Sequence, residues 1–289
     1  MKSVRAYVDL MKLRVVELLI ITTLPAMVLA EKGLPSFGLV AATLIGGTLA
    51  AGASNAFNMV LEAETDKLMA RTSQRPLVTG SVTRTQAIIF ASILTVLSLL
   101  IFEIFTTELA TLLAALAIFY YVVIYTIILK PNTSQNIVWG GAAGCMPVLI
   151  GWAAVTGSLT LVPVAFFLVV FFWTPPHFWA LAIKYKDDYS AAGIPMLPSV
   201  STQSNVINQM WFHTIAMVVS SAAMIQLAGL PVWVLCATVF LGAVFTFQLF
   251  ALKENSDNYN KVAAGIFHWS ITYLSLFSVL LVVAQLLSA

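Results

Sequence analysis

Asn58, Glu62 and Asp66 recur four residues apart in the stretch NMVLEAETDKLMARTSQRP, residues 58–76. On an α-helix each four-residue step turns by about 40° and rises about 6 Å, so the three side chains form one slowly drifting stripe. Two carboxylates and an amide oxygen suit a hard cation such as Mg2+, which keeps waters and takes one or two carboxylates plus substrate phosphate. Lys67, Arg71 and Arg75 follow directly. Bases beside a metal-holding acid pair make a diphosphate site. Glu64 lies about 160° from the stripe and is expected to face solvent. A helix end showing Glu–Arg pairs at a membrane surface also accounts for such a cluster. The depth of Asn58 and Glu62, directly after an apolar run, argues against it, because polar groups near membrane depth are costly and default to function. Upstream, Gly46, Gly47, Ala50 and Ser54 continue the stripe with small residues. Small residues let helices pack closely in lipid, so the stripe is expected to face protein.

A second constellation occupies WTPPHFWALAIKYKDDYSAAGIPMLP, residues 173–198. Pro175 and Pro176 are expected to break or kink a helix. Beyond them His177, Leu181, Lys184 and Asp188 fall at i, i+4, i+7 and i+11, which puts an imidazole, an ammonium and a carboxylate on one face of a continuing helix. Asp187 and Asp188 are a second carboxylate pair, and Tyr189 adds a hydroxyl. Gly193 and Pro195 end the segment. Lys130, in YTIILKP, reads either as a snorkelling anchor or, near two acidic clusters, as a phosphate ligand. His177, His213 and His268 lack the spacing of a zinc site and each suits hydrogen-bonded packing. Phe171, Phe172, Trp173, Phe178 and Trp179 are expected mostly to face lipid or the interface, with some lining a pocket for a flat or polyisoprenoid ligand.

The elements that must position these groups are membrane spans. Of 289 residues, 60% are hydrophobic and 9% charged, and the mean hydropathy is +0.96. Soluble domains are about 45–50% apolar, so a soluble core is excluded. The net charge of +2 gives no reason to expect a nucleic-acid partner. Apolar segments of spanning length lie at about 15–31, 37–61, 86–105, 109–129, 136–156, 161–183, 207–228, 231–251 and 265–287. They do not alternate, so the fold class is all-α: a polytopic membrane protein of nine transmembrane helices, forming a single domain over residues 1–289. Lys2, Arg5, Lys12 and Arg14 precede the first span. With nine spans, thirteen of the fourteen Lys and Arg residues fall on one side, Lys32 being the exception. The positive-inside rule then puts the N-terminus in the cytoplasm and the C-terminus outside. Both acidic loops share the cytoplasmic side. The stretch ending PAMVLAEKG also has the form of a signal peptide cleaved after Ala30, but it is needed as the first span of the alternation. Cys145 and Cys236 sit in apolar segments and suggest no disulfide. Asp66 and Asp188 each precede a proline, Pro76 and Pro198, by the same interval, a faint echo that suggests a duplicated four-helix unit.

The segments NMVLEAETDKLMARTSQRPL, YTIILKPNTSQNIVWGGAAGCMPVLIGWAAVTG and TPPHFWALAIKYKDDYSAAGIPMLP resemble the UbiA-type intramembrane prenyltransferases, and among them the heme O synthase family. The resemblance runs from about Lys12 to Pro198; the last three helices carry little signature. It implies that the first acidic motif is Asn58, Glu62 and Asp66, with Glu62 where Asp is common, and that the second is Asp187 and Asp188. Mg2+ is the implied cofactor, with Asn58, Glu62, Asp66 and Asp188 as its ligands and Lys67, Arg71, Arg75, Lys130 and Lys184 as diphosphate contacts. The implied substrates are farnesyl diphosphate and heme B, with His177 set against the heme as a candidate iron ligand. The implied setting is the lipid of a bacterial cytoplasmic membrane, with heme-pathway or terminal-oxidase partners. Two alternatives remain open at this point. One is a quinone- or chlorophyll-type prenyltransferase on the same fold. The other is a secondary transporter, against which the polar clusters lie at one face and not at the midplane.

Overall fold

The structure is a computed structural model that describes residues 2–13 and 16–288; Arg14, one of the N-terminal bases, lies outside them. The described residues form helices and no strands. In chain order these are α1 (Lys2–Met11), α2 (Val16–Glu31), α3 (Phe37–Leu61), α4 (Ala63–Lys67), α5 (Arg84–Phe105) and α6 (Glu108–Phe119). A π-helical segment (Tyr120–Leu129) continues α6 into α7 (Lys130–Asn132). Then follow α8 (Asn136–Thr156), α9 (Leu161–Lys184), α10 (Lys186–Ala191), α11 (Leu197–Val200), α12 (Gln203–Leu227), α13 (Val232–Phe250) and α14 (Tyr259–Ser288). Eight units are long and apolar enough to cross a membrane, the α6–α7 run counting as one, and α2 is a shorter apolar helix beside them. The nine expected segments are therefore all present.

Small residues and caps account for much of the local order. Ser36 caps α3 and Thr83 caps α5, the latter through a reciprocal box with Gln86. α3 packs most extensively on α5. A Cβ at Gly46 would meet the Phe102 ring at 2.9 Å, and Ser98 Oγ donates to the Gly46 carbonyl at 2.7 Å. The stripe of small residues thus faces protein, as its composition predicts.

α9 is the second organising helix and packs on α8, α12 and α14. It runs unbroken from Leu161 to Lys184, with Pro175 and Pro176 inside it. The expected break does not occur. Neighbouring helices on three sides hold it, as intramembrane helices tolerate proline when packed. The actual end comes at Tyr185 (φ −107°, ψ 23°). His177, Leu181 and Lys184 therefore share a helix, whereas Asp188 belongs to α10. Trp173 and Trp179 are 2% and 0% exposed, so these two do not face lipid. The Trp173 indole Nε1 donates to the Ser270 carbonyl at 2.7 Å, which gives it a reason to be inside.

Candidate active site

α3 delivers Asn58 and stops at Glu62, whose φ of −96° and ψ of 6° bend the chain before α4. The three-residue stripe is therefore not one continuous helix. The bend is mild, because the backbone N–H of Glu62 still donates to the Asn58 carbonyl at 2.9 Å and that of Asp66 to the Glu62 carbonyl at 2.8 Å. All three groups face inward: Asn58, Glu62 and Asp66 are 2%, 9% and 3% exposed. Glu64 points to solvent, paired at 2.8 Å with Lys67. The Thr72 hydroxyl donates to the Asp66 carbonyl at 2.8 Å, which fixes the start of the following loop.

Each inward group meets a cation from a different part of the chain. Arg75 donates to Asp66 at 2.5 Å and lies 3.9 Å from Glu62. Lys130 Nζ lies 2.5 Å from Glu62 Oε1. Lys12 Nζ donates to Asn58 Oδ1 at 3.0 Å, and Asn58 Nδ2 donates to Thr126 Oγ1 at 3.2 Å. Lys12 was counted only as a topogenic base, since nothing in the string MKLR says where its side chain ends. It is fixed by the Asn55 side chain, whose Nδ2 donates to the Met11 carbonyl at 2.9 Å. Burial, then the nearby Arg75 guanidinium, push the Lys12 ammonium down to about 7. Two cations, Arg75 and Lys130, thus face the two carboxylates, and Lys12, whose ammonium gives up its proton more readily than usual, stands beside them on Asn58. Such a cluster gathers several N–H donors that an anion can accept from.

The π-helical segment sets where Lys130 falls. Its amide donates to the Tyr125 carbonyl five residues back, and the Thr126 hydroxyl donates to the Tyr121 carbonyl at 2.9 Å, also five back. Short π segments are rare and tend to occur at functional sites. The apolar sequence YYVVIYTIIL gives no hint of it. Tyr125 presses against Gly140, where a Cβ would overlap its ring. Gly140 is therefore required for close approach of α8.

The second acidic segment meets the first at one end of the bundle. Asp188 Oδ2 accepts the Arg71 backbone N–H at 3.4 Å. The Arg71 guanidinium lies 5.5 Å from the Tyr185 ring and 5.9 Å from that of Tyr189, and reaches the Tyr189 hydroxyl at 3.5 Å. Burial raises the Tyr189 phenol above its ordinary value, with Arg71 opposing. Asn136 Nδ2 donates to the Pro195 carbonyl at 3.4 Å, tying the loop after α10 to α8. Asp187 is exposed. Lys184 is exposed and stands over Tyr185 at 5.5 Å. Asp187, Lys67 and Lys184 thus stand apart from the cluster.

His177 also lies apart from the acids, stacked between Trp173 (centroids 4.3 Å) and Phe267 (4.7 Å), with Nδ1 2.7 Å from Ser270 Oγ. Among the described residues no three His, Cys, Asp or Glu side chains converge as a closed metal cage. Two carboxylates and an amide gather at one patch, and Asp188 lies on the segment bonded to Arg71. That fits an ion such as Mg2+, which takes few protein ligands and completes its shell with water and phosphate oxygens.

Inward acids met by bases within a bundle of membrane-spanning helices are an arrangement suited to an intramembrane enzyme. The chain belongs to the UbiA prenyltransferase family, whose family model matches residues 19–271. It is 48% identical to the protoheme IX farnesyltransferase of Frankia casuarinae over 283 residues, 98% of each chain. It is 46% identical to that of Streptomyces avermitilis, over 94% of this chain and 91% of that one. In fold it is similar to a UbiA homolog from Archaeoglobus fulgidus bound to DMAPP and Mg2+, at a TM-score of 0.70 and 16% identity over 93% of this chain and 99% of that one. It is also similar to the structure described under digeranylgeranylglyceryl phosphate synthase, at a TM-score of 0.79 and 16% identity over 99% of each chain. The chain is a multi-pass membrane prenyltransferase.

Proposed function

We propose that this protein transfers the farnesyl group of farnesyl diphosphate to a vinyl group of heme B, with addition of water, giving heme O and diphosphate. The carrying observation is the gathering of part-buried basic donors on the inward acids: Arg75 and Lys130 on Glu62 and Asp66, with Lys12 beside them on Asn58. Asn58, Glu62 and Asp66 on one side, and Asp188 on the other, would hold Mg2+. The ion supplies positive charge to the diphosphate as it departs. Lys12, Arg75 and Lys130 keep their present partners and turn their remaining N–H donors to phosphate oxygens, with Arg71 joining from the loop that Asp188 holds. Charge is thereby stabilised where it develops.

The C–O bond of farnesyl diphosphate breaks with its electron pair leaving on diphosphate. The vinyl π electrons of heme B form the new C–C bond to the allylic carbon. Water captures the cation left on the heme side chain and releases a proton. The isoprenoid tail lies among the helices, which restrict earlier attack by water. His177 contacts the heme. The base-rich end of the bundle faces the cytoplasm by the positive-inside rule, and the membrane is the bacterial inner one. Membranes containing the protein, incubated with heme B and farnesyl diphosphate, are expected to yield a more apolar heme on reversed-phase chromatography only when Mg2+ is present. Absence of that product with and without Mg2+ overturns the proposal.

A further inference from the structure

His177 is held in a way that its proposed contact with heme does not by itself explain. Its ring lies nearly parallel to Trp173 on one face (19°) and to Phe267 on the other (27°). The stacking fixes the ring plane, and Nδ1 is anchored 2.7 Å from Ser270 Oγ. Ser270 is fully buried, and its carbonyl is pinned by the Trp173 indole at 2.7 Å.

A serine hydroxyl has one proton. Ser270 Oγ lies 2.6 Å from the Phe267 carbonyl oxygen. Two oxygens that close without a proton between them repel, so the hydroxyl proton goes to Phe267. Ser270 Oγ can then only accept from His177, and the imidazole must carry its proton on Nδ1. Nε2 is left with its lone pair. Among the described residues Nε2 has no hydrogen-bond partner, and it is not one of the sealed unpaired polar atoms. Nε2 is therefore not sealed off by its surroundings. An Nδ1–H bonded to an oxygen behind it, with Nε2 free in front, is how a protein orients a histidine that ligates iron.

We infer that Ser270 is a positioning residue for the acceptor, holding His177 in the tautomer and orientation that offer Nε2 to the iron of heme B. The inference rests on the reading of His177 as the heme contact. Its test uses the full chain in detergent, titrated with ferric heme B and followed by Soret absorption and electron paramagnetic resonance. Wild type shows a histidine-ligated spectrum, and His177→Ala loses it. Ser270→Ala weakens heme binding about 10–100-fold and reduces the ligated fraction, the usual cost of losing the group behind a metal-bound histidine. Ser270→Thr, which keeps the hydroxyl, follows wild type. Ser270→Cys, close in size but a poor acceptor, follows Ser270→Ala and carries the comparison if alanine does not fold. An unchanged KM for farnesyl diphosphate shows that the rest of the site is intact. If His177→Ala loses ligation while Ser270→Ala or Ser270→Cys binds heme as wild type, Ser270 has no such role and the reading of His177 stands. If His177→Ala keeps the wild-type spectrum, the histidine reading fails and the role of Ser270 with it.

Discussion

The two acidic segments are built differently. In the first, Glu62 and Asp66 are buried, and every inward polar group has a short partner from another element: Lys12, Arg75, Thr126 or Lys130. In the second, Asp187 is exposed and, among the described residues, the Asp188 side chain is held by a single backbone N–H at 3.4 Å. A carboxylate held at short range by cations is pre-positioned and costs little reorganisation when charge develops nearby. A carboxylate held by one long bond to a loop is less tightly placed. We propose that the difference separates their tasks: the first patch fixes where diphosphate sits, and the second completes the enclosure.

The largest effects are therefore expected in the first patch. Glu62→Gln and Asp66→Asn should each lower kcat by about 10²–10³-fold, the scale for losing a charge-stabilising group. Wild-type turnover in both would remove the metal assignment. Asp66→Ala should also destabilise the protein by about 1.5–3 kcal/mol, because it removes the close charged partner of Arg75, which keeps only Glu62 at 3.9 Å. Thermal unfolding in detergent measures this. The same substitution at Asp188 should leave the melting temperature nearly unchanged, and equal losses at the two positions would erase the contrast.

Within the second segment the two aspartates should separate. Asp188→Asn is expected to cut kcat about 10²-fold, whereas Asp187→Asn, at an exposed position, should change it less than about 3-fold. A steep loss at Asp187 would mean that α10 rotates on binding and that both acids turn inward.

The spans were legible because hydropathy in a membrane chain is a direct physical demand: α3 begins and ends within the segment at 37–61, and α8 within that at 136–156. The acids were legible because buried charge in so apolar a chain has few innocent explanations. What the sequence hid was whatever depends on distant partners or on helix phase. The Lys12–Asn58 bond joins residues 46 apart, and Lys130–Glu62 joins residues 68 apart. The π-helical segment carries no polar residue periodic enough to report five-residue bonding. Pro175 and Pro176 do not break α9, because helix-breaking rules are local and here the neighbouring helices decide. α1 is short and precedes the first span, so its bases read as signals of orientation alone.

The smallest effects should distinguish two lysines of the same charge. Lys12→Met removes an amino-group donor from the part-buried cluster. A charged hydrogen bond is worth about 1.5–3 kcal/mol, so the KM for farnesyl diphosphate should rise about 10–100-fold while the KM for heme B stays put. Lys67→Met removes an ammonium that is half-exposed and bonded only to the solvent-facing Glu64. Such a surface pair contributes about 0–1 kcal/mol, so neither constant should move by more than about 2-fold. Sequence alone gives the opposite order, because Lys67 follows the acidic motif directly and Lys12 lies far upstream of it. If Lys67→Met proved the more damaging, α4 would have to turn by about 100° on binding substrate, carrying Lys67 inward and Asp66 out. The buried Arg75–Asp66 pair opposes that rotation, so the ratio of the two KM changes reads directly whether the first patch is as fixed as its hydrogen bonds imply.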